Sequence, residues 1–350
     1  MKLKKLSFAV IIIIIIAFFT PINKLSIGKG NNCTNFAASY NGRVLFGNSE
    51  DASENHPLYN NPDGTVIWFL PASAENYGMM QIGWYWQGTH VSYQGGINEF
   101  GLCYDSTAIP EINLNDHPEK PFNSENSYKW RDILGKCRNI TEAIDYINQY
   151  NFKQMGYQIF LTDITGDAVI ISPNYAGELN LTYKGTNNSS LAQTNFNRIH
   201  PESHYGAYSC PRYQICCDLL SNINSEDNLT IDYFKTILDA VHQNSFESYT
   251  PYSNIFNPTN KIAYFYYASQ FYETVQLNIT YELSLGTHEY LLCDLVSEEA
   301  HENGLKYHQD FITKANVVKG LIITGIVALI GCPIIGIFIF VKRKKKHREI

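Results

Sequence analysis

The feature that most restricts this chain is a run of 22 uncharged, largely apolar residues, 320–341, followed at once by the basic stretch KRKKKHR. A run of that length is enough to cross the hydrocarbon of a bilayer as a helix, which takes ~20 residues. The basic flank places its C-terminal side in the cytoplasm. A second apolar run, residues 8–19 behind Lys2, Lys4 and Lys5, is too short for a span and has the layout of a secretory signal. These two segments predict a signal peptide and short propeptide over 1–32, a body over 33–316 outside the cytoplasm, a transmembrane helix over 317–341 and a basic tail over 342–350. The body must therefore fold as an exported unit, tethered at its C-terminal end.

Its charge narrows the functions open to it. Residues 33–316 hold 14 Lys and Arg against 32 Asp and Glu, a formal charge of −18. Nucleic-acid binding draws its affinity mainly from neutralising phosphates, so so acidic a surface argues against it. Asn-x-Ser/Thr sequons at Asn139, Asn180, Asn187, Asn188, Asn228 and Asn278 suit an exported glycoprotein. Besides Cys33, the body contains Cys103, Cys137, Cys210, Cys216, Cys217 and Cys293. Export permits disulfides, but sequence does not choose their pairing. No C-x-x-C spacing marks a zinc site.

Strand-like segments open the body. Thr34–Tyr40 and residues 44–47 flank an Asn-Gly dipeptide, the pattern of a two-residue hairpin. GTVIWFLP, MMQIGWYWQGTHVSYQGGINEFGLCYDS and YQIFLTDITGDAVIIS continue in the same style. Helical spacing appears at Ile140, Ala143, Ile144 and Ile147, again at Phe234, Ile237, Leu238 and Val241, and a helix is expected from CPRYQICCDLL. KIAYFYYAS, ETVQLNITYELS and EYLLCDL return to strands. Strands, helices, strands, helices, strands is the order of an α+β domain. No repeat or long linker divides it.

Cys33 stands at the head of the first strand, in CTNFAASYNGRVLFGNSED. This segment resembles the mature N-terminus of the choloylglycine hydrolase and penicillin V acylase family of N-terminal-nucleophile hydrolases, which begins Cys-Thr and runs through a hairpin to an aspartate, here Asp51. GGINEFGLCYDS is similar to that family's G-M-N-E-x-G-L segment and puts Asn98 on its oxyanion-hole asparagine. FLTDITGDAVII resembles a family hairpin. AQTNFN puts Asn195 on the second catalytic asparagine, with Asn197 as a competitor for the role, and CPRY puts Arg212 on a family arginine. The resemblance runs in order over about residues 33–300. It implies a four-layer αββα fold and hydrolysis of a linear, non-peptide carbon–nitrogen amide bond in a small N-acyl substrate, without metal or cofactor. An acyltransferase or a non-catalytic surface binding module on the same scaffold are the alternatives.

Chemistry is consistent with the resemblance. A thiol attacks an amide as thiolate, so a base must take its proton. If cleavage of the Asn32–Cys33 bond frees the α-amino group, that amine, with an ordinary pKa of ~7.7–8.0, is the base. Asp51 would orient the amine, Asn98 would stabilise the oxyanion, Asn195 would hold the amine or substrate, and Arg212 would lower the thiol pKa and fix Asp51. The sequence departs from the family at Asn48, which occupies the place of an arginine and removes a cation near the nucleophile. His90 and His204 are the histidines a papain-like scheme would need, and neither lies in such a motif.

Overall fold

The computed structural model describes residues 33–86, 88, 90–121, 129–185, 189–205 and 209–346, with side chains in the last helix described as far as residue 325, 323 excepted. The expected signal and propeptide, 1–32, and sequons Asn187 and Asn188 lie outside the described residues.

The chain begins with strands β1 (Thr34–Tyr40) and β2 (Arg43–Ser53). Asn41 and Gly42 join them with φ of 48° and 82°. Positive φ at both positions makes the two-residue turn whose twist matches the flanking strands. The turn sets Tyr40 opposite Arg43, and every later pair follows, with Thr34 opposite Ser49. The second strand is longer than its apolar core suggests, so Asp51 lies within β2 rather than in a turn after it.

A second group follows: β3 (Thr65–Leu70), β4 (Met79–Trp86), β5 (His90–Asn98), β6 (Cys103–Asn113), helices α1 (Lys129–Lys136) and α2 (Ile140–Ile147), then β7 (Gln154–Thr162), β8 (Ala168–Pro173) and β9 (Leu179–Tyr183). Next come β10 (Ser190–Gln193), α3 (Pro211–Leu220), α4 (Ile231–Val241), β11 (Ser248–Asn257), β12 (Ile262–Tyr267), β13 (Val275–Asn278), α5 (Ile279–Ser284), β14 (His288–Leu291) and α6 (Glu298–Lys346). The strand expected across ETVQLNITYELS stops halfway. Asn278 accepts a hydrogen bond from the Tyr281 N–H and caps α5, and this local side-chain cap wins over the apolar alternation.

Two antiparallel sheets result, ordered β10-β1-β2-β11-β12-β13 and β14-β3-β4-β5-β6-β7-β8-β9. Period-two alternation sorts their side chains into layers. Ala37, Phe46 and Phe256 of the first sheet meet Ile67, Ile82, Ile97 and Phe160 of the second in the inner core. Phe36, Leu45 and Ile255 face outward onto α3 and α4 through Leu220, Phe234, Ile237 and Leu238. Leu102, Tyr104, Leu161 and Val169 face outward from the second sheet onto Ile133, Leu134, Ile140 and Ile147 of α1 and α2. The layers are therefore helix, sheet, sheet, helix.

Helix α6 starts against the body, where Phe311 packs edge-on to Tyr59 at 5.3 Å, and Ala315 is its last fully buried residue among those described. Val317 and Leu321 are exposed. Among the described residues no helix is long and apolar enough to cross a membrane. Most of the expected span, 317–341, lies outside the described side chains, although the backbone continues as helix to Lys346.

Candidate active site

Alternation decides which residues meet at the head of β1. Cys33 and Asn35 share the inward face with Ala37, while Asn48 and Glu50 share it with Phe46 and Ala52. Asp51, one residue on, faces outward toward α3. The α3 helix begins at Pro211 behind Cys210, and this start puts Arg212 in the first turn, over the end of β1 and β2.

Arg212 gathers the outer half of the site. Its Nη1 donates to the Cys33 carbonyl at 2.9 Å, to Thr34 Oγ1 at 2.8 Å and to Asp51 Oδ2 at 3.3 Å. Its Nη2 donates to Asn195 Oδ1 at 3.0 Å. The same Oδ1 accepts from the Cys33 backbone nitrogen at 2.7 Å, and Asn195 Nδ2 donates to the Ala108 carbonyl at 3.0 Å. Cys33, Asp51, Asn195 and Arg212, drawn from positions up to 179 residues apart, thus form one hydrogen-bonded unit. Asp51 does not hold the Cys33 nitrogen directly, as the sequence reading expects. Its carboxylate accepts from Arg212 and from the Thr250 hydroxyl, and Asn195 takes the nitrogen instead.

Asn98 is not part of this unit. Its neighbour Ile97 faces the inner core, so Asn98 points to the other face of the second sheet. There its Nδ2 donates to the carbonyls of Leu134 and Cys137 at 2.8 and 2.7 Å, at the C-terminal end of α1. Its Oδ1 accepts from the Phe100 and Leu102 N–H groups, both at 3.0 Å. Every hydrogen-bonding position of the amide is filled by a turn and by helix-end carbonyls that lack intrahelical partners. The oxyanion assignment of Asn98 is corrected accordingly. Asn197 is likewise committed, donating to the Pro173 carbonyl at 2.7 Å and accepting from Ile199 and His200. Asn48 donates to Asn254 Oδ1 at 3.2 Å and leaves the thiol without a cation at that position. Among the described residues the seven cysteines are free thiols, Cys33 included.

The inner half of the site holds residues that motif matching passes over. Glu50, Asp105, Asn35 and Tyr252 are all 0% exposed. Asp105 reaches in from β6 and accepts from Asn35 at 3.3 Å, from Gln94 at 3.4 Å and from the Ser106 N–H at 2.6 Å. A Cβ at residue 95 would stand 2.2 Å from Asp105 Oδ2, so only glycine leaves room for this carboxyl against β5. Burial, then Glu50, Asp51 and Asp105, push the Cys33 thiol up, and the Asp51 backbone N–H pulls the other way. Burial pushes Asp51 up too, while Arg212 and Thr250 oppose the rise.

Metal ligands gather elsewhere. Asp63, Cys293 and His301 are the trio found among the described residues. Their geometry is accounted for by hydrogen bonds that fasten α6, His301 Nε2 standing 3.0 Å from Asp63 Oδ1, which also accepts from the Tyr267 hydroxyl.

Solved structures share this fold. A variant of conjugated bile acid hydrolase from Clostridium perfringens superposes with a TM-score of 0.58 at 15% identity, covering 76% of this chain and 98% of that one. A second variant of the same hydrolase gives 0.54 at 15% identity over 74% and 96%. Penicillin V acylase from Agrobacterium tumefaciens gives 0.53 at 15% identity over 71% and 86%. No family model and no curated protein matches the sequence. At this identity the likeness is one of fold: the chain has the αββα architecture of those enzymes.

Proposed function

We propose that this chain is an exported amidase that cleaves a linear, non-peptide carbon–nitrogen amide bond through an acyl-Cys33 intermediate. The observation that carries the reading is the Cys33 backbone nitrogen, held at 2.7 Å by Asn195 Oδ1, which Arg212 fixes in turn. A backbone nitrogen positioned beside its own thiol is what a one-residue nucleophile and base require. Once the bond before Cys33 is cut, the amine takes the thiol proton and the sulfur attacks the carbonyl. Because burial above all raises the thiol, a base at the sulfur is a requirement here rather than an accessory. Asn195 orients the amine; Arg212 binds the Cys33 carbonyl and the Asp51 carboxylate and so fixes the residue from its other side.

Cys33 is 1% exposed. The reading extends to a membrane tether over residues 320–341, supported by a helix that is held to the body as far as Lys319, whose Nζ stands 2.8 Å from Glu54 Oε1, and whose backbone runs on to Lys346.

Two measurements test it. Mass spectrometry of the active protein should find a mature chain beginning at Cys33. A panel of N-acyl amides should be turned over by that protein and not by Cys33→Ala; equal turnover by both removes the nucleophile. Adding an amine acceptor to the same assay separates hydrolysis from acyl transfer by the product formed.

A further inference from the structure

The hairpin register places an additional group at the sulfur. Thr34 pairs with Ser49, so the next position along brings Cys33 opposite Glu50, and Glu50 pairs with Tyr252 on β11. Thiol, carboxyl and phenol thus stand in one row across three strands, all on the inward face, where opposed side chains sit ~4.5–5.5 Å apart at Cβ. Among the described residues both Glu50 carboxyl oxygens are fully buried without a hydrogen-bond partner, and the register sets them beside the Cys33 side chain. Glu50 Oε1 faces His56 Nε2 at 3.2 Å. The Tyr252 hydroxyl and Asp105 Oδ2, both fully buried, have no hydrogen-bond partner among the described residues.

Among the described residues no side-chain cation offsets Glu50. His56 Nδ1 accepts from the Leu58 N–H at 3.1 Å, so the neutral ring carries its proton on Nε2. Burial holds His56 neutral, with its pKa lowered to about 3. Arg212 lies on the outer face, engaged with Asp51. The groups facing Glu50 are therefore the Cys33 thiol, neutral His56, the Gln94 amide, the Asp105 carboxyl and the Tyr252 phenol, with Asp51 adjacent in β2. Burial moves Glu50 from 4.5 up to about 8, which favours its protonated form near neutral pH.

Resting on the reading of Cys33 as nucleophile, we infer that Glu50 is a second catalytic residue, which delivers its carboxyl proton to the amide nitrogen as the carbon–nitrogen bond breaks. In the tetrahedral intermediate that nitrogen is bonded to the carbon that sulfur has attacked, so a carboxyl beside the sulfur is in reach of the nitrogen. The protons balance. The thiol proton passes to the Cys33 amine, sulfur bonds to carbon, the nitrogen takes the Glu50 proton and the amine departs. Water then adds to the thioester and gives one proton to the Glu50 carboxylate. Finally the carbon–sulfur bond breaks, and sulfur recovers its proton from the Cys33 ammonium.

The test compares an N-acyl alkylamide with the 4-nitrophenyl ester of the same acyl group, since nitrophenolate leaves without a proton. In full-length Glu50→Gln, acylation by the amide should fall ~10²–10⁴-fold, the range a positioned general acid supplies. The initial burst of nitrophenolate should stay within about threefold of the unsubstituted protein, and mass spectrometry should find acyl-Cys33 accumulating because its hydrolysis has lost a base. Glu50→Asp, which still has a proton to donate, should recover part of the amide rate. A Glu50→Gln protein of unchanged melting temperature that loses the burst and the amide rate equally, or loses neither, overturns the inference. Hydrolysis persisting in Cys33→Ala instead overturns the nucleophile on which it rests.

Discussion

Replacing Arg212 by methionine should expose how far the site depends on one guanidinium. Arg212 is 11% exposed at its side chain and Asp51 is 0% exposed, so the pair interacts away from bulk solvent. The substitution removes donors from Asp51, Thr34, the Cys33 carbonyl and Asn195 together. Stripping one partner from a buried ion pair costs about 3–5 kcal/mol, because the remaining charge stays buried without compensation. Asp51 then keeps only Thr250 as side-chain donor, and its pKa, already raised by burial, rises further. The sign follows from that direction. A carboxyl whose folded pKa lies above its unfolded one stabilises the fold at low pH and loses that contribution as pH climbs through the folded value. The penalty of Arg212→Met should therefore grow with rising pH, which a comparison of pH 5 with pH 8 reads. Urea denaturation at both pH values, run as a double-mutant cycle with Asp51→Asn, reads it directly. In the Asp51→Asn background the cost should drop to about 1–2 kcal/mol, the worth of the guanidinium's hydrogen bonds to uncharged acceptors. A cost that is the same in both backgrounds to within about 0.5 kcal/mol would refute the pairing.

Two further outcomes follow from the geometry. Asn98→Ala leaves two carbonyls and two N–H groups unpaired in a buried turn, so it should destabilise the fold by about 3–5 kcal/mol. The folded fraction should keep its kcat, whereas an oxyanion donor would cost ~10²–10³ in rate; a rate loss of that size in correctly folded protein would reinstate Asn98. Glu50→Gln should flatten the pH dependence of stability: between pH 4.5 and about 8 the folded chain holds a proton the unfolded chain releases, so stability falls with rising pH, by up to roughly 4 kcal/mol. Chemical denaturation from pH 5 to 8 checks it, and an unchanged slope in Glu50→Gln would show that another group titrates.

Much of this was legible in the chain. The Asn-Gly turn and the apolar spacing are local, and they gave away the hairpin, α2 and α4. Since a two-residue turn sets Tyr40 against Arg43, the same count carries Cys33 opposite Glu50, so this neighbour was available to a register argument although no motif singles it out. The segment around Asn98 shows the opposite case. Its residues match a catalytic motif, but their meaning depended on the end of α1, 36 to 39 residues further along, packing against the turn. Sequence determined which face each strand residue presents, because alternation needs only the neighbouring peptide units. Tertiary structure alone decided which side chains meet across the faces: Asp105 reaching Asn35 from the opposite sheet, and Arg212 closing over Asp51, depend on how layers pack rather than on any spacing along the chain.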